Sequence, residues 1–180
     1  MAFSMTEIPG LLLFEPKVFE DDRGYFFESY NESTFREAGI EARFVQDNQA
    51  YSSFGVLRGL HFQTAPFAQS KLVRVLSGEV LDVAVDIRQG SETYGQWFSH
   101  RLSEANKQQL YIPRGFAHGY VVLSPTAVFA YKCDSFYSKA NEGGIRPDCP
   151  LLQIDWQIDL KDAIIAERDR NFPSLGGQRT

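Results

Sequence analysis

Apolar and polar side chains alternate with a period of two along most of the chain, the pattern of half-buried β-strands. The clearest run is K-L-V-R-V-L-S-G-E-V-L-D-V-A-V-D-I-R, residues 71–88. It predicts two strands joined as a hairpin around Ser77-Gly78, with Leu81, Val83, Val85 and Ile87 on one face and Asp82, Ala84 and Asp86 on the other. A second hairpin is expected across Ser124-Pro125, between residues 121–123 and 127–133, with Phe129, Tyr131 and Cys133 sharing a face. Shorter runs predict strands over L-L-L-F, interrupted at Pro16, then over K-V-F, and over residues 25–30 after a turn at Gly24. Phe26 and Glu28 share a face there. Phe44, Gln46 and Asn48 alternate with Val45 and Asp47, so Gln46 and Asn48 project together.

Helical spacing is confined to two places. Residues 31–38 have an N-cap in Asn31, an acid at the positive end in Glu32, and Gly39 where a left-handed C-cap belongs. Residues 159–170 place Leu160, Ala163 and Ile164 at helical spacing, stopped by Pro173. Residues 141–150, with Gly143, Gly144 and two prolines, read as a long loop of the kind that borders a site. Many short strands with helices only near the ends predict a mainly β fold, a jelly-roll sandwich or barrel with a few short peripheral helices, in one domain over residues 1–180.

Size and charge narrow the partners. A chain of 180 residues buries enough apolar surface to need no disulfide or structural metal. Its net charge of −5 argues against nucleic acid, which needs a concentrated basic surface, whereas a nucleotide-sized anion needs only two or three placed cations. Cys133 and Cys149 form no C-x-x-C pair and no charged, apolar leader opens the chain, so a reduced, cytoplasmic protein is expected. No apolar run approaches the roughly 18 residues of a membrane span.

A barrel of this kind holds its ligand between the sheets, so polar residues at inward strand positions are the informative ones. Residues 55–63, G-V-L-R-G-L-H-F-Q, set one arginine and one of the three histidines in an apolar run. Metal-binding cupins combine Gly, five residues, His-x-His and a nearby Glu with a later Pro-x-Gly-x-x-His. Here Gly55 and His61 are in place, but Gln63 stands at the second histidine position and no Glu follows before Lys71. The later motif is intact as Pro113-Arg114-Gly115-Phe116-Ala117-His118. With two of four ligands present, neither a metal nor another cofactor is expected. His61 becomes a general base if a carboxylate fixes its tautomer; alone, it is as often a hydrogen-bonded interior residue. Lys71 and His118 can polarise an oxygen. Tyr131, alone, reads as a packed ring whose hydroxyl finds a partner. Arg58 and His61 lie three apart, on opposite faces of a regular strand, so a shared pocket demands a bulge or kink, with Gly59 its natural place.

Together with F-E-D-D-R-G-Y-F-F-E, I-P-R-G-F-A-H-G, Y-K-C and E-G-G-I-R, these stretches resemble the dTDP-4-dehydrorhamnose 3,5-epimerase family, in order and over nearly the whole chain. The resemblance implies a homodimeric, metal-independent cupin that epimerises a dTDP-4-keto-6-deoxyhexose beside its ketone, a step toward L-rhamnose. It places the proton acceptor at His61, the proton donor at Tyr131, the aspartate that pairs with the histidine at Asp169, and Lys71 beside them. Arg23, Phe26, Glu28, Gln46, Asn48, Arg58, His118, Glu142 and Arg168 fall on positions that bind the dTDP-sugar, and Tyr137 matches a second tyrosine near the sugar.

Some positions depart from the family pattern. Arg168 stands for a common Lys, Pro147 for a Trp, Asp134-Ser135-Phe136 for a Thr-Asp-Tyr run and Gln49-Ala50 for His-Ser. None touches the acid or the base; they bear on the loop that covers the sugar, which leaves open whether one carbon or two is inverted. Three readings stand at this point: an epimerase at carbons 3 and 5, a relative acting at one carbon, and a non-catalytic sugar-binding cupin. The last would keep the arginines without needing His61, Tyr131 and Asp169 together.

Overall fold

The computed structural model describes residues 2–178. In chain order the strands are β1 (Ala2–Met5), β2 (Leu12–Glu15), β3 (Phe19–Asp21), β4 (Gly24–Phe26), β5 (Gln46–Ser53), β6 (Val56–Gln63), β7 (Lys71–Ser77), β8 (Glu79–Asp86), β9 (Trp97–Ser103), β10 (Gln109–Ile112), β11 (Phe116–Val122), β12 (Thr126–Cys133), β13 (Glu142–Gly144) and β14 (Ile164–Ile165). Helices are α1 (Glu32–Glu37) and α2 (Glu167–Arg170). One sheet runs β1-β2-β10-β7-β12-β5; the facing sheet runs β13-β6-β11-β8-β9, with β14 parallel to β6. β3 and β4 pair only with each other. This is the mainly β, two-sheet architecture that the alternation predicts.

Three apolar layers hold it. Between the sheets, Val73, Val75 and Phe129 of the first meet Val80, Ala84, Tyr120 and Val122 of the second. Leu81, Val83 and Val85 point the other way, against Ile145, Cys149, Leu152 and Trp156, so the C-terminal third of the chain covers the outer face of the second sheet. On the outer face of the first, Phe35 and Ile40 pack on Phe14 and Leu72. The Asn31 side chain caps α1 by accepting the Ser33 and Thr34 amides. At its other end the Gly39 and Ile40 amides turn back to the Arg36 and Phe35 carbonyls, as expected of a helix closed by glycine.

Four expectations need correction. The two predicted hairpins are arches: β7 and β8 belong to different sheets, and so do β11 and β12. Alternation marks which side chains point inward, but not whether two such strands lie side by side or face each other across the core. Here they face each other. The arches at Phe54-Gly55, Ser77-Gly78 and Ser124-Pro125 are bonded together, with Gly55 N–H on Val122 O, Phe54 N–H on Pro125 O and Leu123 N–H on Glu79 O. Residues 159–170 are helical only in α2; Ile164–Ile165 instead add β14 to the edge of β6, where the Ile164 amide donates to Gly55 O at 2.9 Å. Two adjacent β-branched residues beside an open strand edge favour that pairing. The expected loop at 141–150 begins as β13, paired with β6, and the strand expected over 25–30 ends at Phe26.

The bulge expected at Gly59 is present. Across β6 and β11, His61 pairs with His118 and Arg58 with Tyr120, so Gly59 and Leu60 together oppose Gly119. Gly59 has φ +140°, and a Cβ there would lie 2.5 Å from the Gly119 Cα. The extra residue turns both Arg58 and His61 toward the space between the sheets. Gly59→Ala is expected to cost about 3 kcal/mol or more, from the unfavourable backbone and the clash together. Urea unfolding measures it, and a loss below about 1 kcal/mol would show that the bulge tolerates a side chain.

Candidate active site

A cavity of about 730 Å³ lies between the sheets, on the side where β5 ends one sheet and β6 with β13 and β14 ends the other. Every residue singled out from the sequence lines it except Arg23, Phe26 and Glu28. Those three belong to the β3–β4 hairpin and the stretch after it. The Arg23 side chain is 89% exposed and forks onto Asp21, and Phe26 is 70% exposed.

His61 Nε2 lies 2.8 Å from Asp169 Oδ1, and Asp169 Oδ2 accepts the Gly59 amide at 3.2 Å. Asp169 is buried on α2. Burial alone would raise its carboxyl, but bonds from His61, the Gly59 amide and Arg168 hold it below the usual 3.8, so it is an ionised acceptor. In the tautomer that donates through Nε2 to this carboxylate, Nδ1 keeps its lone pair; Arg168 Nη2 also stands 3.3 Å from Nε2, so Arg168 touches the histidine itself. The Phe172 ring packs edge-to-face with that of His61, their centres 5.8 Å apart.

On the facing sheet, Tyr131 lies on β12 beside Lys71, the first residue of β7, whose ammonium stands 5.9 Å from the tyrosine ring centre. Burial, with the neighbouring Cys133, pushes the Tyr131 hydroxyl up to about 12. Burial also lowers Lys71 from 10.5, and Cys133, Asp82 and Glu142 act against that. No hydrogen bond or ion pair engages the Lys71 ammonium among the described residues. His118, opposite His61, donates through Nε2 to Asp82 Oδ2 at 2.9 Å, and burial holds it below 6.5. As a neutral ring it offers Nδ1 as an acceptor.

The rim carries the longer polar side chains. Arg168 reaches Glu142 Oε2 at 2.9 Å and Asp169 Oδ1 at 3.3 Å, and Glu142 also accepts the Tyr137 hydroxyl at 3.1 Å. Gln46 donates to Asn48 Oδ1 at 3.1 Å along β5, and Arg58 donates to Ser52 Oγ at 3.2 Å. Among the described residues, no three His, Cys, Asp or Glu side chains gather as metal ligands. The Gln63 carboxamide is taken up by the backbone at Phe67, Phe136 and Ser138.

Sequence reasoning passed over Asp82, although a carboxylate at an inward position of an apolar strand was visible in the alternation. It also passed over the Ile164, Ile165 wall, because that stretch read as helix, and over Phe172, which packs on His61. An acid and a base on facing walls, with a desolvated ammonium beside the acid, can move protons on and off carbon next to a carbonyl.

The sequence profile of the family described as dTDP-4-dehydrorhamnose 3,5-epimerase matches residues 5–176. The dTDP-4-dehydrorhamnose 3,5-epimerase of Pseudomonas aeruginosa is 56% identical over 172 residues, 94% of this chain and 93% of that one. Among solved structures, the same enzyme from Elizabethkingia anophelis aligns with a TM-score of 0.93 at 53% identity, covering 97% of this chain and 96% of that one. The dTDP-6-deoxy-D-glucose-3,5-epimerase of Legionella pneumophila, solved with dTDP-4-keto-L-rhamnose, aligns with a TM-score of 0.94 at 47% identity, covering 98% and 93%. Fold, cavity and the likeness over residues 5–176 agree, and the chain belongs to the dTDP-4-dehydrorhamnose 3,5-epimerase family.

Proposed function

We propose that this enzyme inverts carbons 3 and 5 of dTDP-4-keto-6-deoxy-D-glucose to give dTDP-4-keto-L-rhamnose, with its own side chains as the only catalysts. The observation that carries this reading is the His61–Asp169 pair on one sheet and Tyr131 with Lys71 on the facing one. Inversion needs a base and an acid on opposite faces of the sugar ring, and two facing sheets supply them.

His61 Nδ1 takes the proton from carbon 5, and the C–H electron pair moves into the carbonyl. Its oxygen becomes an enolate, held by the Lys71 ammonium. Tyr131 then gives its proton to the other face of that carbon as the carbonyl re-forms. Water takes the proton from His61 and restores the one on Tyr131, and carbon 3 follows by the same steps. Acid and base contribute about 10²- to 10⁴-fold each. Asp169 steadies the imidazolium while it exists. His118, neutral, accepts from a sugar hydroxyl, Arg58 and Arg168 meet the diphosphate as forks, and Gln46 and Asn48 offer amides to the base. With no third ligand gathered beside His61 and His118 among the described residues, this reading assigns no metal to the site.

The same reading covers the assembly. The β3–β4 hairpin exposes Phe19, Tyr25 and Phe26 and carries Arg23 away from its own cavity. In a homodimer it would bring Arg23, Phe26 and Glu28 to the partner's site. Cys133 and Cys149 are buried free thiols, in keeping with a single-domain protein of the reducing cytoplasm, and no helix among the described residues is long and apolar enough to cross a membrane.

NMR of the substrate in deuterated water is expected to show exchange at carbons 3 and 5 with wild type and none with folded His61→Ala. Exchange at one carbon only would make it a single-carbon epimerase. Tyr131→Phe is expected to slow turnover about 10²-fold or more with nucleotide affinity kept, and lost affinity would move Tyr131 to binding. Lys71 acts protonated and its folded pKa is lowered, so the alkaline limb of kcat/KM is expected below 10.5, while Tyr131 keeps its proton to about 12. In Lys71→Arg that limb should move to higher pH; an unmoved limb would exclude Lys71 as its source. Mixing inactive His61→Ala with inactive Arg23→Glu is expected to restore part of the activity, because a mixed dimer contains one intact site. No recovery after subunit exchange would place Arg23 in its own protomer's site.

A further inference from the structure

We propose that Gln63 is a positioning residue for Tyr137, and that its carboxamide sets where this tyrosine stands over the cavity. The proposal rests on the reading of the cavity as the epimerase site, with Tyr137 meeting the sugar. Gln63 occupies the strand position where a metal-binding cupin has its second histidine, yet its side chain is 8% exposed and three of its hydrogen-bonding sites are used. Its amino group donates to Phe67 O at 2.7 Å and Phe136 O at 3.1 Å, and its carbonyl accepts the Ser138 amide at 2.6 Å. From the facing sheet, Gln46 Oε1 accepts the amide of Tyr137 itself at 3.0 Å.

These bonds are the only ones that engage the Phe136 carbonyl and the Tyr137 and Ser138 amides among the described residues. The segment carrying Tyr137 follows β12, and here side chains replace a strand ladder. Tyr137 and Phe136 are themselves more than half exposed, so packing does little to fix them. Tyr137 does reach Glu142, but that bond holds the ring at its tip and leaves the backbone free.

The chemistry of the clamp is specific to a carboxamide. It must donate to two carbonyls and accept from one amide. A glutamate keeps the acceptor but sets an anion against two carbonyl oxygens, and a leucine of similar length makes none of the bonds. The loop at 64–70 is also joined to the start of this segment by Gln69 Nε2 on Ser135 O and by Ser70 with Asp134, and Gln63 extends that link to Phe136 and Ser138, on either side of Tyr137. A small misplacement of a substrate-contacting ring costs up to about 10²-fold in rate.

The test uses the full chain with Gln63→Leu and Gln63→Glu. Hydrogen exchange without substrate is expected to show lost protection at the Tyr137 and Ser138 amides in Gln63→Leu, and at Tyr137 in Gln63→Glu, with the core strands unchanged. Gln63→Leu is expected to lower kcat/KM about 10- to 100-fold, with KM raised as well as kcat lowered, whereas loss of folded enzyme would lower kcat alone. In a Tyr137→Ala background the same change should add less than about twofold, because the residue it positions is gone. Full additivity in that background, or unchanged protection in the folded variants, overturns the proposal. If Gln63→Leu does not fold, the same pair of outcomes in Gln63→Glu decides it. If the wild-type protein does not epimerise the substrate, the functional reading fails, and the exchange arm still decides whether the clamp exists.

Discussion

One carboxylate, Asp169, ties the strand geometry to the site. To present Arg58 and His61 into the same cavity, β6 must carry an extra residue, and a bulge takes a backbone amide out of the ladder. A buried amide needs a partner. Asp169 accepts the Gly59 amide with one oxygen and His61 Nε2 with the other, so the group that satisfies the bulge also fixes the tautomer of the base. The dependence runs further along the chain. Asp169 sits on α2, directly after β14, which is held to β6 through the Gly55 carbonyl. The C-terminal segment is therefore a working part of the site as well as a cover for Leu81 and Val83.

In the proposed mechanism, the second constraint is that acid and base come from different sheets. A ring placed between β6 and β12 has one face toward each, and the core residues around Val73, Ala84 and Phe129 keep the sheets apart at a fixed spacing. Charge inside the cavity follows its own balance rather than the chain's. Although the net charge is −5, the cations lining the cavity are Arg58, Lys71 and Arg168, and among the described residues Lys71 has no carboxylate bonded to it. An unpaired ammonium in a partly desolvated space interacts strongly with a developing oxyanion, and the lowered pKa is the mark of its desolvation.

Much of this was legible in the residues. The alternation along β5 and β12 put Gln46 with Asn48, and Tyr131 with Cys133, on shared faces, and these faces line the cavity; the caps of α1 were readable from Asn31 and Gly39. The three-residue spacing of Arg58 and His61 demands a bulge if both are to share a pocket, and the bulge lies at Gly59. What failed was long-range. Ser77-Gly78 and Ser124-Pro125 have the composition of hairpin turns, and only the facing of two apolar surfaces across the core makes them arches. Ile164 and Ala163 fit a helix until the open edge of β6 is available to Ile164. Arg23, Phe26 and Glu28 carry signatures of a binding residue, yet their own chain folds them away from its cavity, which sequence order alone does not reveal.

The missing metal ligand takes on a physical meaning from these contacts. In the metal-binding pattern the inward positions of β6 and β11 converge imidazoles on one point. Here the same positions diverge: His61 leans on Asp169, His118 on Asp82, and Gln63 on the backbone around Tyr137. Each commitment holds its side chain on a partner of its own. Each also sets a protonation state or an orientation that proton transfer requires, a free Nδ1 on His61, a neutral His118, and a fixed rim. In the proposed mechanism the strand positions that elsewhere would gather a Lewis acid are spread over three separate tasks, and the enolate oxygen is left to Lys71 on the facing wall, whose ammonium has no hydrogen bond or ion pair among the described residues.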